Sequence, residues 1–225
     1  MKLLVLRPEP GASRTAVRAR ERGLDPVLIP LFSVSAVPGP APDPGRYDAV
    51  LLTSANGARF ARAGLERLPC FAVGEVTASA AREAGFADVR TGPSDGAAAA
   101  AMVARDGMKR ALHLCGRDHV ALEAPGVSIE RRIVYAAEPL ATGPITGPAV
   151  ALVHSARAGA RLAELASDRS TIALAAISAG AAAAAGEGWS AKVVAAEPRD
   201  DALLEVAAQL CNHGAMDAKD RGDGI

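Results

Sequence analysis

Aromatic residues are scarce in this sequence: only 3% of its 225 residues are Phe, Trp or Tyr. Stacking of bases on aromatic side chains is therefore excluded as a main binding mode. A net charge is missing too, since 25 Lys and Arg residues balance 25 Asp and Glu residues. Because neither sign is in excess, no long-range field draws the chain to nucleic acid or to a membrane, and we expect neither as a partner.

Long apolar runs are also absent. No run approaches the ~20 residues of a membrane-spanning helix, and the apolar run at the N-terminus, which ends before Arg7, is too short for a signal peptide. The three cysteines, Cys70, Cys115 and Cys211, are odd in number and far apart. This spacing argues against a disulfide framework and a zinc site and favours a reducing compartment. We therefore expect a soluble, cytoplasmic protein.

What the sequence does contain is a regular alternation of two kinds of segment. Short apolar runs bounded by turn residues are typical of buried strands in a parallel sheet. They occupy residues 2–6, 27–31, 49–53, 71–73, 88–90, 111–114, 129–135, 149–154, 172–177 and 192–195. Alanine-rich segments of high helix propensity lie between most of them, for example 13–22, 56–68, 76–84, 97–105 and 157–166. This alternation predicts an α/β fold.

The chain also repeats itself. The stretch AVLLTSANGARF, residues 49–60, resembles AVALVHSARAGARL, residues 149–162. Two further matches follow in the same order, residues 70–86 with 172–189 and residues 89–100 with 193–204. In the last pair Asp95 and Asp200 stand in step. Self-similarity of this kind indicates a duplicated unit.

The N-terminal segment resembles residues 108–135, so one copy is continuous and the other is split. We predict domain 1 at 1–30 and 143–225, domain 2 at 44–130, and inter-domain linker strands at 31–43 and 131–142. The predicted fold is two similar doubly wound parallel-sheet domains joined by a two-stranded β ladder. In open α/β sheets ligands bind at the carboxyl ends of the strands, so we expect an active-site cleft between the domains.

Polar residues follow the predicted strands in both copies. Thr53, Ser54 and Asn56 precede one helix, and His154, Ser155 and Arg157 stand at the matching corner. Such residues are preferred helix caps, and helix N-termini also bind carboxylates or phosphates; both interpretations remain open. No second histidine stands at metal-ligand spacing from His113 or His119, so we predict no metal site.

Glycine-rich turns and arginines complete the corners. The turn around Gly74 and its partner in residues 177–185 match neither the Walker motif nor the dinucleotide-binding fingerprint. Arg7, Arg14 and Arg117 are positive points at predicted strand ends, where each is either solvated or a ligand contact. Cys115 lacks an evident histidine partner beyond His119, which favours a buried thiol over a nucleophile.

The order of short motifs resembles the uroporphyrinogen-III synthase family. The motifs are LRPEPG, YDAVLLTSANGAR, FAVGEVTA, LCGR, ERRIVYAAEP, VHSARAG and AISAGAA, and they extend to about residue 211. The resemblance implies two α/β domains joined by a β ladder. It also implies an enzyme that takes the linear tetrapyrrole hydroxymethylbilane, removes water, inverts the last pyrrole ring (ring D) and closes the macrocycle without a cofactor, as in haem biosynthesis. A substrate with roughly eight carboxylates suits helix N-termini and arginines.

The resemblance also assigns residues. It implies catalytic roles for Tyr135, as the acid, and for Thr77, whereas the second glycine-rich turn offers only Ser178 where the family often has Thr. Together with the corners above, the expected substrate-binding residues are Arg7, Arg14, Thr53, Ser54, Asn56, Gly74, Glu75, Val76, Cys115, Gly116, Arg117, His154, Ser155, Ala156, Arg157, Ser178, Ala179 and Gly180.

A second function remains open from the residues alone. A non-enzymatic, two-lobed cytosolic binder of a small anion or sugar would show the same alternation and the same corners. In either case we expect a monomer that binds a small molecule. Residues 213–225 are expected to form a disordered tail.

Overall fold

A computed structural model describes residues 1–93 and 95–220 of the chain. The chain forms two compact units: unit 1 contains Met1–Ser33 and the chain from Glu138 onward, and unit 2 contains Val34–Ala137. The strands are β1 (Lys2–Val5), β2 (Pro26–Leu28), β3 (Phe32–Ala36), β4 (Ala49–Leu52), β5 (Cys70–Val73), β6 (Val89–Gly92), β7 (Arg110–Gly116), β8 (Ser128–Pro139), β9 (Ala149–Val153), β10 (Ile172–Ala176) and β11 (Ala191–Val194). The helices are α1 (Gly11–Glu21), α2 (Ala55–Arg59), α3 (Gly74–Glu83), α4 (Gly96–Arg105), α5 (Ala156–Leu165), α6 (Ala179–Ala184) and α7 (Asp200–Asp220).

All ten strands predicted from the apolar runs are present. In unit 1 the sheet order is β11-β10-β9-β1-β2, and in unit 2 it is β6-β5-β4-β7-β8 with β3 added at the edge. Apart from β3, neighbouring strands are parallel. The two orders are equivalent when β4 is matched with β9 and β7 with β1. The predicted α/β fold is confirmed, and the strand orders agree with the predicted repeat, one copy being circularly permuted.

Helices cover both faces of each sheet, because alternate strand residues point to opposite faces. In unit 2, Val50 and Leu52 face α2 and α3, whereas Ala49 and Leu51 face α4. In unit 1, Val150 and its neighbours of the same parity face α1 and α7, and α5 packs with α6 on the other face. Each fully buried leucine stabilises the fold by about 2 kcal/mol, so the two faces together anchor the central strands.

Two differences from the predicted elements have local causes. The helix expected at 56–68 stops at Arg59, because Gly64 adopts a left-handed conformation and a 3₁₀ turn, Leu65–Arg67, sends Leu65 into the core. The tail expected from residue 213 is helical to Asp220 as part of α7; residues 221–225 lie outside the described residues. Within the described residues, the helices are all too short or too polar to span a bilayer.

Strands β3 and β8 lie where the chain passes from one unit to the other. They are hydrogen-bonded neighbours at the edge of the six-stranded sheet. The Val37 amide donates to the Val134 carbonyl, and the Leu140 amide donates to the Leu31 carbonyl, each at 2.9 Å. Residue numbers rise along one strand as they fall along the other, so the two strands are antiparallel.

Gly159 tests the packing of α5 on α6. A Cβ atom at this position would lie 2.6 Å from the Ala181 carbonyl oxygen and 3.1 Å from the Ala185 amide nitrogen. Because backbone atoms cannot move aside cheaply, we expect Gly159→Ala to lower the free energy of unfolding by about 1–3 kcal/mol, as measured by urea denaturation.

Gly180→Ala is the matched control in the neighbouring helix. Only the Ser178 Oγ atom lies as near as 4.0 Å to its added Cβ, and alanine favours the helix by up to about 1 kcal/mol. Equal losses of stability in the two variants would contradict the close approach of α5 and α6.

Candidate functional site

A cavity opens in unit 2 at the carboxyl ends of β4 and β7. These two strands are adjacent, yet the chain leaves β4 toward β5 on one side and β7 toward β8 on the other. Such a switch point is where open α/β sheets bind ligands. The cavity has a volume of about 580 Å³ and is lined by Thr53, Ser54, Asp95, Gly96, Ala97, Gly116, Asp118, His119, Val120, Ala121, Leu122 and Tyr135. Its size is that of a small-molecule site.

Tyr135 enters this cavity from β8. Its ring lies over Gly116, where an added Cβ would be 2.6 Å from the ring carbon Cε2 and 3.0 Å from the hydroxyl oxygen. The ring also stacks on Phe60, with centroids 6.1 Å apart, and the Tyr135 carbonyl accepts a hydrogen bond from the Arg117 amide at 3.0 Å. Only glycine at position 116 leaves room for the ring, so the sequence fixes the phenol at the cavity.

Thr53 and His113 form a side-chain pair beside the tyrosine. Thr53 Oγ1 lies 3.0 Å from His113 Nε2, and His113 is only 1% exposed. Burial, followed by the nearby charges of His119 and Arg131, lowers the pKa of His113 to about 4. The imidazole is therefore neutral near pH 7.

His119 lies at the cavity wall. Its Nδ1 lies 3.0 Å from the Gly116 carbonyl and 3.2 Å from the Arg117 carbonyl. Because carbonyl oxygens only accept, the hydrogen is on Nδ1. The Nε2 atom lies 3.5 Å from the Arg131 guanidinium.

Helix starts supply most of the remaining polar groups of unit 2. Ser54 Oγ accepts from the Asn56 amide at 3.2 Å and caps α2, and Asp95 accepts from the Ala97 amide at 2.9 Å and caps α4. Helix α3, which begins at Gly74, has no side-chain cap. The capping interpretation thus holds for Ser54. Its hydroxyl still keeps a hydrogen to donate, so ligand binding at this corner stays a prediction.

Three residues of unit 2 that were predicted to contact the substrate have side chains that are buried or already paired. Thr77 is 5% exposed and Cys115 is 1% exposed, so their side chains are withdrawn from solvent. Burial raises the pKa of the Cys115 thiol, which agrees with the interpretation of an unreactive cysteine. Glu75 forms an ion pair with Arg82. Val76 is 71% exposed beside it.

In unit 1 the equivalent strand ends are occupied by an ionic cluster. Asp200, at the start of α7, accepts hydrogen bonds from His154 Nε2 at 2.8 Å, from the Thr15 hydroxyl at 2.9 Å and from Arg7 at 3.3 Å. Arg18 pairs with Asp200 Oδ2, which also accepts from Thr15, at 3.2 Å. Arg7 and His154, predicted as ligand contacts, are therefore bound to a protein carboxylate, and the His154 side chain is only 7% exposed.

Burial and hydrogen bonding shift the pKa values of this cluster in opposite directions. Burial alone would raise the pKa of Asp200, but the hydrogen bonds from His154 and Thr15 and the charge of Arg7 lower it to about 2. Burial lowers the pKa of His154 in spite of its bond to the carboxylate. A carboxylate beside a neutral imidazole is the state of the pair near pH 7.

The other predicted contacts of unit 1 lie at helix starts on the same edge of the sheet. Ser155 caps α5 by accepting from the Ala158 amide at 3.1 Å, and Ser178 caps α6 by accepting from the Ala181 amide at 3.3 Å. Arg157 lies over the Phe32 ring, 4.5 Å from its centroid. Exposed residues complete this edge: Arg14, Ala156, Ala179 and Gly180.

Sequence reasoning missed several residues of the two strand-end corners. His113 was weighed only as a metal ligand, and His119 only as a metal ligand and as a partner of Cys115. Within the described residues, no group of three His, Cys, Asp or Glu side chains is placed to hold a metal ion. No sequence pattern pointed to Asp118 or Leu122. Asp95 and Asp200 occupy matched positions in the repeat, and the structure places them at the starts of α4 and α7.

Comparisons with known proteins agree on one family. The sequence matches the family model described as "Uroporphyrinogen-III synthase HemD" over residues 13–205. A uroporphyrinogen-III synthetase structure from Helicobacter pylori matches with TM-score 0.66 and 16% identity, covering 93% of this chain and 98% of that one. A mutant uroporphyrinogen III synthase from Thermus thermophilus matches with TM-score 0.52 and 15% identity, covering 95% and 99%. At these identities the structures show the fold alone. A search of curated proteins found no match.

The Asp200 cluster predicts a pH-dependent stability. Because the pKa of Asp200 is about 2 in the folded chain, below the ordinary aspartate value near 3.9, its stabilisation is complete above about pH 5 and is lost as the pH falls toward 2. We expect Asp200→Asn to lower the free energy of unfolding by about 2 kcal/mol at pH 7, with a gap to the parent that narrows by pH 3. Urea denaturation at pH 7, 5, 4 and 3 measures this.

Asp201→Asn serves as the control for this series. The Asp201 side chain is 60% exposed and pairs with Arg22, so its loss should cost at most about 0.5 kcal/mol. A gap for Asp200→Asn that stays constant down to pH 3 would contradict the assignment of the low pKa.

Proposed function

The chain belongs to the uroporphyrinogen-III synthase family, and we propose that it converts hydroxymethylbilane into uroporphyrinogen III. The family match over residues 13–205 carries this conclusion, and the cavity at the switch point of unit 2 provides a site of suitable size. The protein is thus a cyclising hydro-lyase of tetrapyrrole synthesis. The alternative of a non-enzymatic binder gains no support from the match.

The reaction asks for little acid strength. The bond between the hydroxymethyl carbon and its oxygen breaks while the electron-rich pyrrole nitrogen supplies the electron pair, and the oxygen leaves as water once protonated. Positioning is the harder task, because unguided closure should leave ring D unflipped. A cavity with a fixed phenol and few charges suits this chemistry.

The groups of the unit 2 cavity match the end of the substrate that loses water. The Tyr135 hydroxyl is a hydrogen-bond donor held in place by Gly116 and Phe60. The carboxylates of Asp95 and Asp118 line the same cavity and would stabilise the positive charge that develops on the pyrrole as hydroxide departs. We propose Tyr135 as the acid.

The carboxylate arms of the substrate need donors elsewhere. We propose that they are bound by the helix starts and arginines predicted from the sequence. The uncapped start of α3 at Gly74, Glu75 and Val76 offers backbone N–H groups of the kind that bind anions. Cys115 would contribute through its backbone, since its side chain is buried. The catalytic role that the family resemblance implies for Thr77 is also part of this proposal, with its side chain at 5% exposure.

We further propose that the two compact units act as the two domains, with the predicted boundaries and linkers. In this proposal β3 and β8 form the connecting ladder, and both units contribute to one substrate site. We also propose a cytoplasmic monomer that needs no cofactor. The antiparallel pairing of β3 with β8 supports the ladder.

Tyr135→Phe tests the acid. Because the substrate ionises without strong assistance, we expect turnover to fall by about 10- to 100-fold rather than to vanish. The measurement is steady-state formation of uroporphyrinogen III, resolved from the unflipped isomer, with hydroxymethylbilane supplied by a coupled deaminase.

Tyr47→Phe is the matched control, since Tyr47 is the other tyrosine of the chain and is buried at 6% exposure in the core of unit 2. It should leave turnover unchanged. If the parent protein does not alter the ratio of isomers, the proposed function is wrong. If the parent does so and Tyr135→Phe matches it, only the acid assignment is wrong.

Ser155→Ala tests the contribution of unit 1. Loss of one donor to the substrate should raise KM about three- to fivefold with little change in kcat, and loss of the α5 cap should cost about 1 kcal/mol of stability.

Asp168→Ala separates these two effects. Asp168 caps the turn Arg169–Thr171 by accepting from the Ser170 amide at 2.9 Å. This turn precedes β10, so it lies at the amino ends of the strands, away from the carboxyl ends where α5 begins. The stability loss should be similar while KM stays unchanged. Equal KM values in the two variants would argue against substrate binding at the α5 start.

A further inference from the structure

We propose that His113 is a positioning residue that makes the Thr53 hydroxyl a second hydrogen-bond donor to the departing hydroxyl group of the substrate. This inference rests on the proposed function and extends it to a residue that sequence reasoning set aside. Four observations on unit 2 carry it.

The first observation is the orientation of Thr53. Its side chain follows β4 and lines the cavity. A Cβ atom at Gly96, the first residue of α4, would lie 3.5 Å from the Thr53 methyl carbon. The methyl group therefore packs toward α4, and the hydroxyl oxygen lies 3.0 Å from His113 Nε2. The contact with His113 thus sets the direction of the hydroxyl group.

The second observation gives the direction of the hydrogen bond. The Nδ1 atom of His113 is buried and has no hydrogen-bond partner. A buried N–H group without a partner is rarer in proteins than an under-used acceptor, so the single hydrogen of the neutral ring is on Nε2. The imidazole then donates to Thr53, and the threonine's own hydrogen is left to point into the cavity.

The neutral state of the ring has a clear origin. Burial disfavours the imidazolium, and the positive Arg131 and the neighbouring His119, whose ring centroid is 6.4 Å away, disfavour it further. Thr53 thus receives a hydrogen bond from a group without charge, and it presents a donor without charge to the substrate.

The third observation is that the fold does not require a histidine here. In the parallel pairing of unit 2, His113 stands opposite Leu51 on β4. In unit 1, Leu4 stands opposite Ala151 on β9 in the equivalent position. Leu4 is buried at 3% exposure, so a leucine suits this place in the repeated sheet. A buried ring with an unused nitrogen costs stability relative to leucine, which points to a role in the site.

The fourth observation concerns the groups that surround the Thr53 hydroxyl in the cavity. Tyr135, Asp95 and Asp118 all line the cavity, and the Asp95 carboxylate also caps α4. A neutral leaving oxygen suits this surrounding better than a carboxylate arm, because like charges repel. In the proposed step the carbon–oxygen bond breaks, its electron pair goes to oxygen, and Tyr135 supplies the proton that completes water. Thr53 donates a hydrogen bond to the same oxygen and transfers no proton.

A double-mutant cycle tests the pair. Thr53→Val and His113→Leu should each lower kcat about 5- to 10-fold with KM within about twofold of the parent. The double variant should be no slower than either single variant, because His113 acts only through Thr53. His113→Gln should restore kcat to within about twofold, since its amide nitrogen can donate from the place of Nε2.

Two controls keep the outcomes distinct. Thermal melts show that each variant is folded, and long-range proton–nitrogen NMR correlations of the parent protein report which ring nitrogen of His113 carries the hydrogen at pH 7. A hydrogen on Nδ1, or multiplicative losses in the double variant, would overturn the inference. If the parent forms no uroporphyrinogen III, the proposed function and this inference both fail; if it does and His113→Leu matches it, only this inference fails.

Discussion

In each unit the chain leaves the two middle strands in opposite directions, and the gap this leaves at their carboxyl ends is the constraint on which the rest of the structure depends. In unit 1 the helices that follow the two middle strands pack on opposite faces of the sheet, so neither covers the gap. Strand-end side chains and the start of one opposing helix therefore surround it: α4 in unit 2 and α7 in unit 1. The strand order around the gap is the same in both copies. A few polar residues therefore determine what occupies the gap.

The two copies have used this gap differently. In unit 1, Asp200 at the start of α7 gathers an ionic cluster around its carboxylate. In unit 2 the matching residue, Asp95, caps α4 and leaves a cavity of about 580 Å³. The polar partner also changes strand. His154 follows β9, whereas its counterpart Thr53 follows β4 and finds its histidine, His113, on β7. The two units thus have equivalent corners, and the one in unit 2 borders a cavity.

Local pattern was enough to predict most of the fold but only part of the candidate site. Buried parallel strands are apolar on both faces, so runs such as Ala49–Leu52 stand out, and the repeat predicted the shared strand order. The end of α2 was mistaken because helix propensity does not register the burial of Leu65 in the tertiary structure. The engagement of Arg7 by Asp200 spans 193 residues of chain and is invisible in the sequence. His113 resembled any lone histidine among apolar residues, and only its hydroxyl contact and its unused nitrogen distinguish it.

The charges around the unit 2 cavity explain how a reaction without strong acid can be placed. A substrate rich in carboxylates would be repelled by Asp95 and Asp118 if its arms entered this cavity, yet the pyrrole that loses hydroxide becomes positive and would be attracted. Selection by charge therefore favours the reacting carbon over the arms. The arms are left to donors outside this cavity, such as the backbone amides at the start of α3, where the Glu75 carboxylate is paired with Arg82. In this proposal, neutral hydroxyl donors act at the reacting carbon and amide donors bind the arms.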